Sequence, residues 1–103
     1  MKIHYLSNNG IFKVLVDEER IDIQNADELR ENLLSLIYSG HRFLLLDLQK
    51  VDFIDSSGLG ALVFCLREVR KSEGTIQVTG LSEHVASMFS ITRLNKIFEI
   101  VKQ

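Results

Sequence analysis

Phe43-Leu44-Leu45-Leu46-Asp47-Leu48, followed after a short loop by Ile54-Asp55-Ser56-Ser57-Gly58-Leu59-Gly60, is the stretch on which the reading of this chain turns. The first run is apolar almost without alternation, the pattern of a central strand covered by helices on both faces. The second run opens residues 62–71, where Leu59, Leu62, Val63, Leu66 and Val69 share one arc at about 100° per residue. A polar, glycine-bearing turn between a buried strand and a helix is where α/β proteins place ligands and partners, because the first N–H groups of a helix are unpaired and point outward. Ser56 falls in that turn, where its hydroxyl can be displayed and a phosphate on it would be felt.

Outward from this centre the chain alternates strands and helices. Residues 3–6 and 11–16 are β-prone and flank Asn9-Gly10, a pair that accepts positive φ at both turn positions, so an antiparallel hairpin is expected. Asp17-Glu18-Glu19-Arg20 then reads as a solvated loop. Asn25 with Glu28 three residues on predicts a capping box for a helix whose buried stripe is Ala26, Leu29, Leu33, Leu36 and Ile37, closed by Gly40. Residues 49–55 carry three apolar side chains that should fold back onto the core. Beyond Gly74, residues 75–79 predict a strand, Ser82 the N-cap of a third helix buried through Val85, Met88 and Phe89, and residues 97–101 a short edge strand, with a last helical turn as the alternative. The expectation is a single α/β domain over 1–103 with a mixed, mostly parallel sheet of four to five strands, an N-terminal antiparallel hairpin and about three main helices.

Composition narrows the function. A chain of 103 residues with 46% hydrophobic and 25% charged residues suits one globular core. A formal net charge of −2 argues against a nucleic-acid binder that works by neutralising phosphates. No apolar run approaches the roughly 20 residues of a membrane helix, and the start lacks the pattern of a secretory signal. Cys65, alone in a helical pattern, reads as a buried structural thiol in a reducing cytoplasm.

Catalytic patterns fit poorly. A nucleophile elbow needs glycine two residues before its serine, and Ile54 stands there. No Lys-Ser or Lys-Thr follows Gly58 and Gly60, which rules out a P-loop. His4, His41 and His84 are scattered without ligand spacing, so no metal, cofactor or catalytic residue is assigned, and a small hydrolase using Ser56 ranks last. Asp47 at a strand end suggests a receiver domain superficially, but Ser7-Asn8-Asn9 replaces the paired acids of that fold. What remains is a displayed serine. Ser57 is the more natural N-cap of the two hydroxyls, and composition does not choose between them. Gly58 and Gly60 keep Cβ atoms away from the turn, which serves either a tight bend or the close approach of a partner. Phe64, an aromatic set among charges on the face that borders Ser56, either packs on another element or anchors a partner.

The heptad Ile54 to Gly60 resembles the signature of the STAS-domain anti-sigma factor antagonists, and the similarity runs through the hairpin, the helix after Asp22, residues 81–89 and Ile91-Thr92-Arg93-Leu94. One departure is Glu19, where the family usually has glycine. The resemblance implies a non-enzymatic, cytoplasmic interaction switch. Unphosphorylated, it would bind an anti-sigma factor serine kinase; phosphorylated by that kinase on Ser56, it would be released, and a phosphoserine phosphatase would reset it. Asp22 and Asp55 would flank the docking site, with Ser57, Gly58, Gly60, Phe64 and Arg67 forming its surface. The same resemblance admits a STAS accessory subunit of a membrane transporter or signalling scaffold with the serine unused. An acidic, edge-stranded domain of this kind could also dimerise.

Overall fold

The computed structural model describes residues 1–102. Its elements are β1 (Ile3–Asn8), β2 (Ile11–Val16), β3 (Arg20–Ile21), α1 (Ala26–Tyr38), β4 (Phe43–Asp47), β5 (Phe53–Ile54), α2 (Ser56–Arg70), β6 (Thr75–Thr79), α3 (Glu83–Ile91), a 3-10 turn (Leu94–Lys96) and β7 (Glu99–Ile100). The main sheet has the order β1-β2-β4-β6-β7, antiparallel only between β1 and β2. Asn9 and Gly10 both take positive φ, 52° and 83°, which joins the hairpin as the sequence predicts. Each later strand of this sheet is reached through a helix, α1 before β4, α2 before β6 and α3 before β7, and the parallel pairing is the consequence.

The core lies on one side of that sheet. Val14, Val16, Leu44, Leu46, Ile76 and Val78 are buried against Leu29, Leu33 and Ile37 of α1, Leu62, Leu66 and Val69 of α2, and Val85 and Phe89 of α3. The alternate row that pairs Lys13 with Leu45, Gln77 and Glu99 is only partly buried or exposed, and Phe43 is 46% exposed. Helices therefore do not cover β4 on both faces as its unbroken apolar run suggests. Its Leu45 and Phe43 spend their apolar character on an open face instead.

Residues 49–55 fold back as expected, with Val51 and Ile54 fully buried, and they do so by forming a second, two-stranded parallel ladder that pairs Arg20 with Phe53 and Ile21 with Ile54. Glu19 sits at the entrance to this ladder, its carbonyl accepting the N–H groups of Asp52 (2.8 Å) and Phe53 (3.2 Å). Glu19 is absent from the residues of positive φ, so the turn needs no glycine there.

Two caps differ from the sequence reading. Asn25 stands at the N-cap of α1 without capping it: its Oδ1 accepts from Asp22 N–H and its Nδ2 donates to the Arg20 carbonyl, while Glu28 pairs with the N-terminal ammonium at 2.6 Å. At α2 the cap is Asp55, and both serines lie inside the helix. Ser82 does cap α3, accepting from Val85 N–H. The last strand is shorter than residues 97–101, because the 3-10 turn and Phe98, buried edge-on against Phe89, take up its start.

Candidate functional site

Asp55 organises the turn that carries Ser56. Its backbone is extended (φ −107°, ψ −176°) and its N–H donates to the Ile21 carbonyl at 3.1 Å, so β5 ends by delivering the carboxylate to the foot of α2. Oδ1 accepts from Gly58 N–H at 3.0 Å, the N-cap bond, and Oδ2 accepts from Ile23 N–H at 3.2 Å, across to the loop before α1. That loop is rigid for a local reason. Asp22 accepts from Gln24 N–H through Oδ1, its carbonyl accepts from Asn25 and Ala26 N–H, and Arg20 Nε lies 3.5 Å from Oδ2. The expected flanking pair, Asp22 and Asp55, is thus brought to either side of one turn.

Ser56 is exposed at the first position of α2, and Ser57 is half-buried beside it. The two glycines have different reasons to be there. A Cβ on Gly58 would lie 2.7 Å from both Ile21 Cγ2 and Ile54 Cγ1, so packing of the ladder under the helix demands glycine. A Cβ on Gly60 would meet nothing within 4 Å. Glycine inside a helix costs about 0.5–1 kcal/mol relative to alanine, and nothing within the chain requires it at this exposed position.

Gly60 opens onto a cleft of about 440 Å³ between α1 and α2. From α2 the cleft is lined by Ser56, Ser57, Gly60, Ala61 and Phe64; the facing wall is Ile23, Ala26, Asp27 and Arg30. Phe64 is 44% exposed with the Arg30 guanidinium 5.6 Å from its ring centroid, so it packs on a cation at the cleft wall. Ile23, 76% exposed, is a site residue the sequence reading missed. Its signal was an isoleucine in a polar turn with no helical or strand register to bury it. Arg67 is exposed on α2 outside the cleft lining.

Other candidate chemistry is committed elsewhere. His4 pairs with Asp17 at 3.0 Å, His41 packs on Phe12, and His84 stacks on Phe53, whose ring also lies 4.1 Å from the Arg20 guanidinium. Asp47 is fully buried, 3.3 Å from Lys13 Nζ and bonded by Gln49, while Asp52 is exposed, so these acids do not converge with Asp55. Among the described residues no group of three or more His, Cys, Asp or Glu could hold a metal ion. Burial pushes the Cys65 thiol up to about 12, with no exposed surface for reaction. No helix among the described residues is long and apolar enough to cross a membrane.

Comparison with known proteins fits this geometry. The family model described as STAS domain matches residues 3–103. An anti-sigma-B factor antagonist of Bacillus subtilis (strain 168) is 38% identical over 80 residues, 78% of this chain and 72% of that protein. The fold is also that of an anti-sigma factor antagonist from Mycobacterium paratuberculosis, with TM-score 0.86 and 23% identity over 96% of this chain and 83% of that one. The Bacillus cell fate determinant SpoIIAA in its phosphorylated form superposes with TM-score 0.76 and 15% identity, over 99% of this chain and 91% of that one.

Proposed function

This chain belongs to the STAS domain family, and from that premise we propose that it is an anti-sigma factor antagonist, a binding protein rather than a catalyst, switched by phosphorylation of Ser56. The observation that carries the reading is the combination of an exposed Ser56 on a rigidly held turn with Gly60 opening the helix beside it. A displayed hydroxyl on a stiff scaffold is what a kinase active site needs to align. The bare backbone at Gly60 lets a partner surface come close.

The cycle runs in the cytoplasm. Unmodified, the protein binds an anti-sigma factor that is also a serine kinase, over Asp22, Asp55, Ser56, Ser57, Gly60, Phe64 and Arg67, and so frees the sigma factor; Gly58, expected on that surface, is buried under α2 and serves packing instead. The kinase transfers the γ-phosphoryl group of its own ATP to Ser56 Oγ; the hydroxyl proton is lost and ADP leaves. A phosphoserine phosphatase later hydrolyses the ester and resets the switch.

Phosphate adds about −1.5 to −2 charges and three acceptor oxygens at pH 7. The start of α2 favours that anion by up to ~1 kcal/mol, and the neighbouring Asp55 carboxylate opposes it, so the fold is left nearly as it was. The partner carries the consequence. A surface that buries Ser56 must desolvate a dianion, and losses of this kind run to about 2–5 kcal/mol, or tens to thousands in affinity. Incubation with the kinase and ATP, read by intact mass and peptide mapping, should add one phosphate at Ser56. Phosphate confined to another residue, or none, refutes the assignment.

A further inference from the structure

We propose that Arg30 is a built-in receptor for the phosphate, pairing with it across the α1–α2 cleft. This rests on the reading of Ser56 as phosphoacceptor and adds what the modified protein does with its new charge. Ser56 and Ser57 stand on one wall of the cleft and Arg30 on the other. Among the described residues that line it, Arg30 is the cation.

Arg30 is available for the task. It is 38% exposed, and its ion pair reaches Asp27 at 3.5 Å, whose own side chain is 85% exposed; such pairs are held weakly. The guanidinium also lies 5.6 Å from the centroid of the Phe64 ring. A guanidinium is a planar fork that matches two phosphate oxygens at once, and a phosphoserine placed opposite an arginine forms charge-assisted hydrogen bonds that order the elements bearing them. Ala26 on one wall and Gly60 on the other are small, which leaves the groove open.

The pairing changes what release means. A phosphate held by Arg30 lies across the cleft mouth and draws the guanidinium from Phe64, so a partner group that enters between Ile23 and Phe64 meets a filled groove as well as a charge. Ser56→Asp, with a shorter side chain, a single negative charge and two acceptor oxygens in place of a dianion with three, offers Arg30 less to pair with and is an incomplete mimic.

The test uses the full chain with phosphoserine installed at position 56 by genetic code expansion, so it does not depend on any kinase. The second ionisation of the phosphate is followed by ³¹P NMR in the wild-type background, in Arg30→Gln and in Arg30→Lys. The acids near the phosphate are Asp22 before α1, Asp27 on α1 and Asp55 before α2, and all three oppose its second ionisation; Arg30 acts against them. In the wild-type background that ionisation should occur about 0.5–1 unit lower than in Arg30→Gln, with Arg30→Lys between. Phosphorylation should also raise the melting temperature more with Arg30 present than with glutamine. Equal titrations in all three backgrounds overturn the pairing. Failure of the kinase to modify Ser56 would instead refute the parent reading, and the titration separates the two.

Discussion

The carboxylate of Asp55 joins the foot of α2 to Ile23, accepting the Ile23 N–H at 3.2 Å with one oxygen while the other caps the helix through Gly58. One side chain therefore fixes both the direction of the Ser56 turn and the position of the exposed isoleucine beside it. Asp55→Ala should lose about 0.5–2 kcal/mol of stability, the range of an N-cap deletion. Asp55→Asn should lose less, since asparagine also caps, but its amide would face the Ile23 N–H donor to donor. Urea denaturation of the two variants separates cap from cross-link.

The glycines of the turn should respond in opposite directions. Gly58→Ala forces a methyl to 2.7 Å from Ile21 and Ile54 and should cost about 1–3 kcal/mol. Gly60→Ala enters open space on a helix and should stabilise by up to ~1 kcal/mol. If the Gly60 surface is where a partner packs, a bulkier Gly60→Leu should fold normally and fail to bind. Denaturation midpoints together with a binding assay decide both points.

Cys65 should be inert in the folded protein. It has no exposed surface, and burial pushes its thiol up to about 12 from an ordinary 9.0. Iodoacetamide at pH 8 should leave the native chain unmodified and label it fully in denaturant. The unfolded thiol ionises first as pH rises, so through this group stability falls as the pH climbs above the ordinary value. Cys65→Ser or Cys65→Ala should flatten that alkaline limb.

The acid limb has surface contributors. Lys71 and then Tyr38 hydrogen-bond Glu68 and hold its carboxyl below the ordinary 4.5, and His4 does the same for Asp17 below 3.8. A depressed folded value means the stabilisation is present above the ordinary carboxylate range and is lost as pH falls through it. Glu68→Gln and Asp17→Asn should each make stability less sensitive to pH below about 4.5, as thermal melts across pH 2.5–6 would show.

Periodicity made most of the architecture legible. Val14, Leu44, Leu46 and Ile76 mark strands, and the stripes of α1 and α2 mark helices, because burial on one face imposes those periods. Features set by long-range side-chain bonds were not legible. Asn25 has the identity of a cap, but the Arg20 carbonyl and Asp22 N–H compete for its amide and win. Asp55 capped α2 one residue ahead of the serines, because an ionised carboxylate outbids a hydroxyl for the first free N–H groups. The β3–β5 ladder is two residues long, too short for any pattern to announce. At the site, Ser56 and Asp55 were readable as residue types in a turn, Phe64 as an aromatic among charges on the second helix and Asp22 through the family resemblance, whereas Ile23 and Arg30 join them only through the meeting of α1 and α2.

The most direct test of the switch is calorimetric titration of the anti-sigma kinase with three forms of the protein: wild type, Ser56→Ala, and protein carrying phosphoserine at 56. The first two should bind alike, and the phosphorylated form should bind tens to thousands of times more weakly while still unfolding cooperatively as a folded domain. Equal affinity in all three forms would contradict the account.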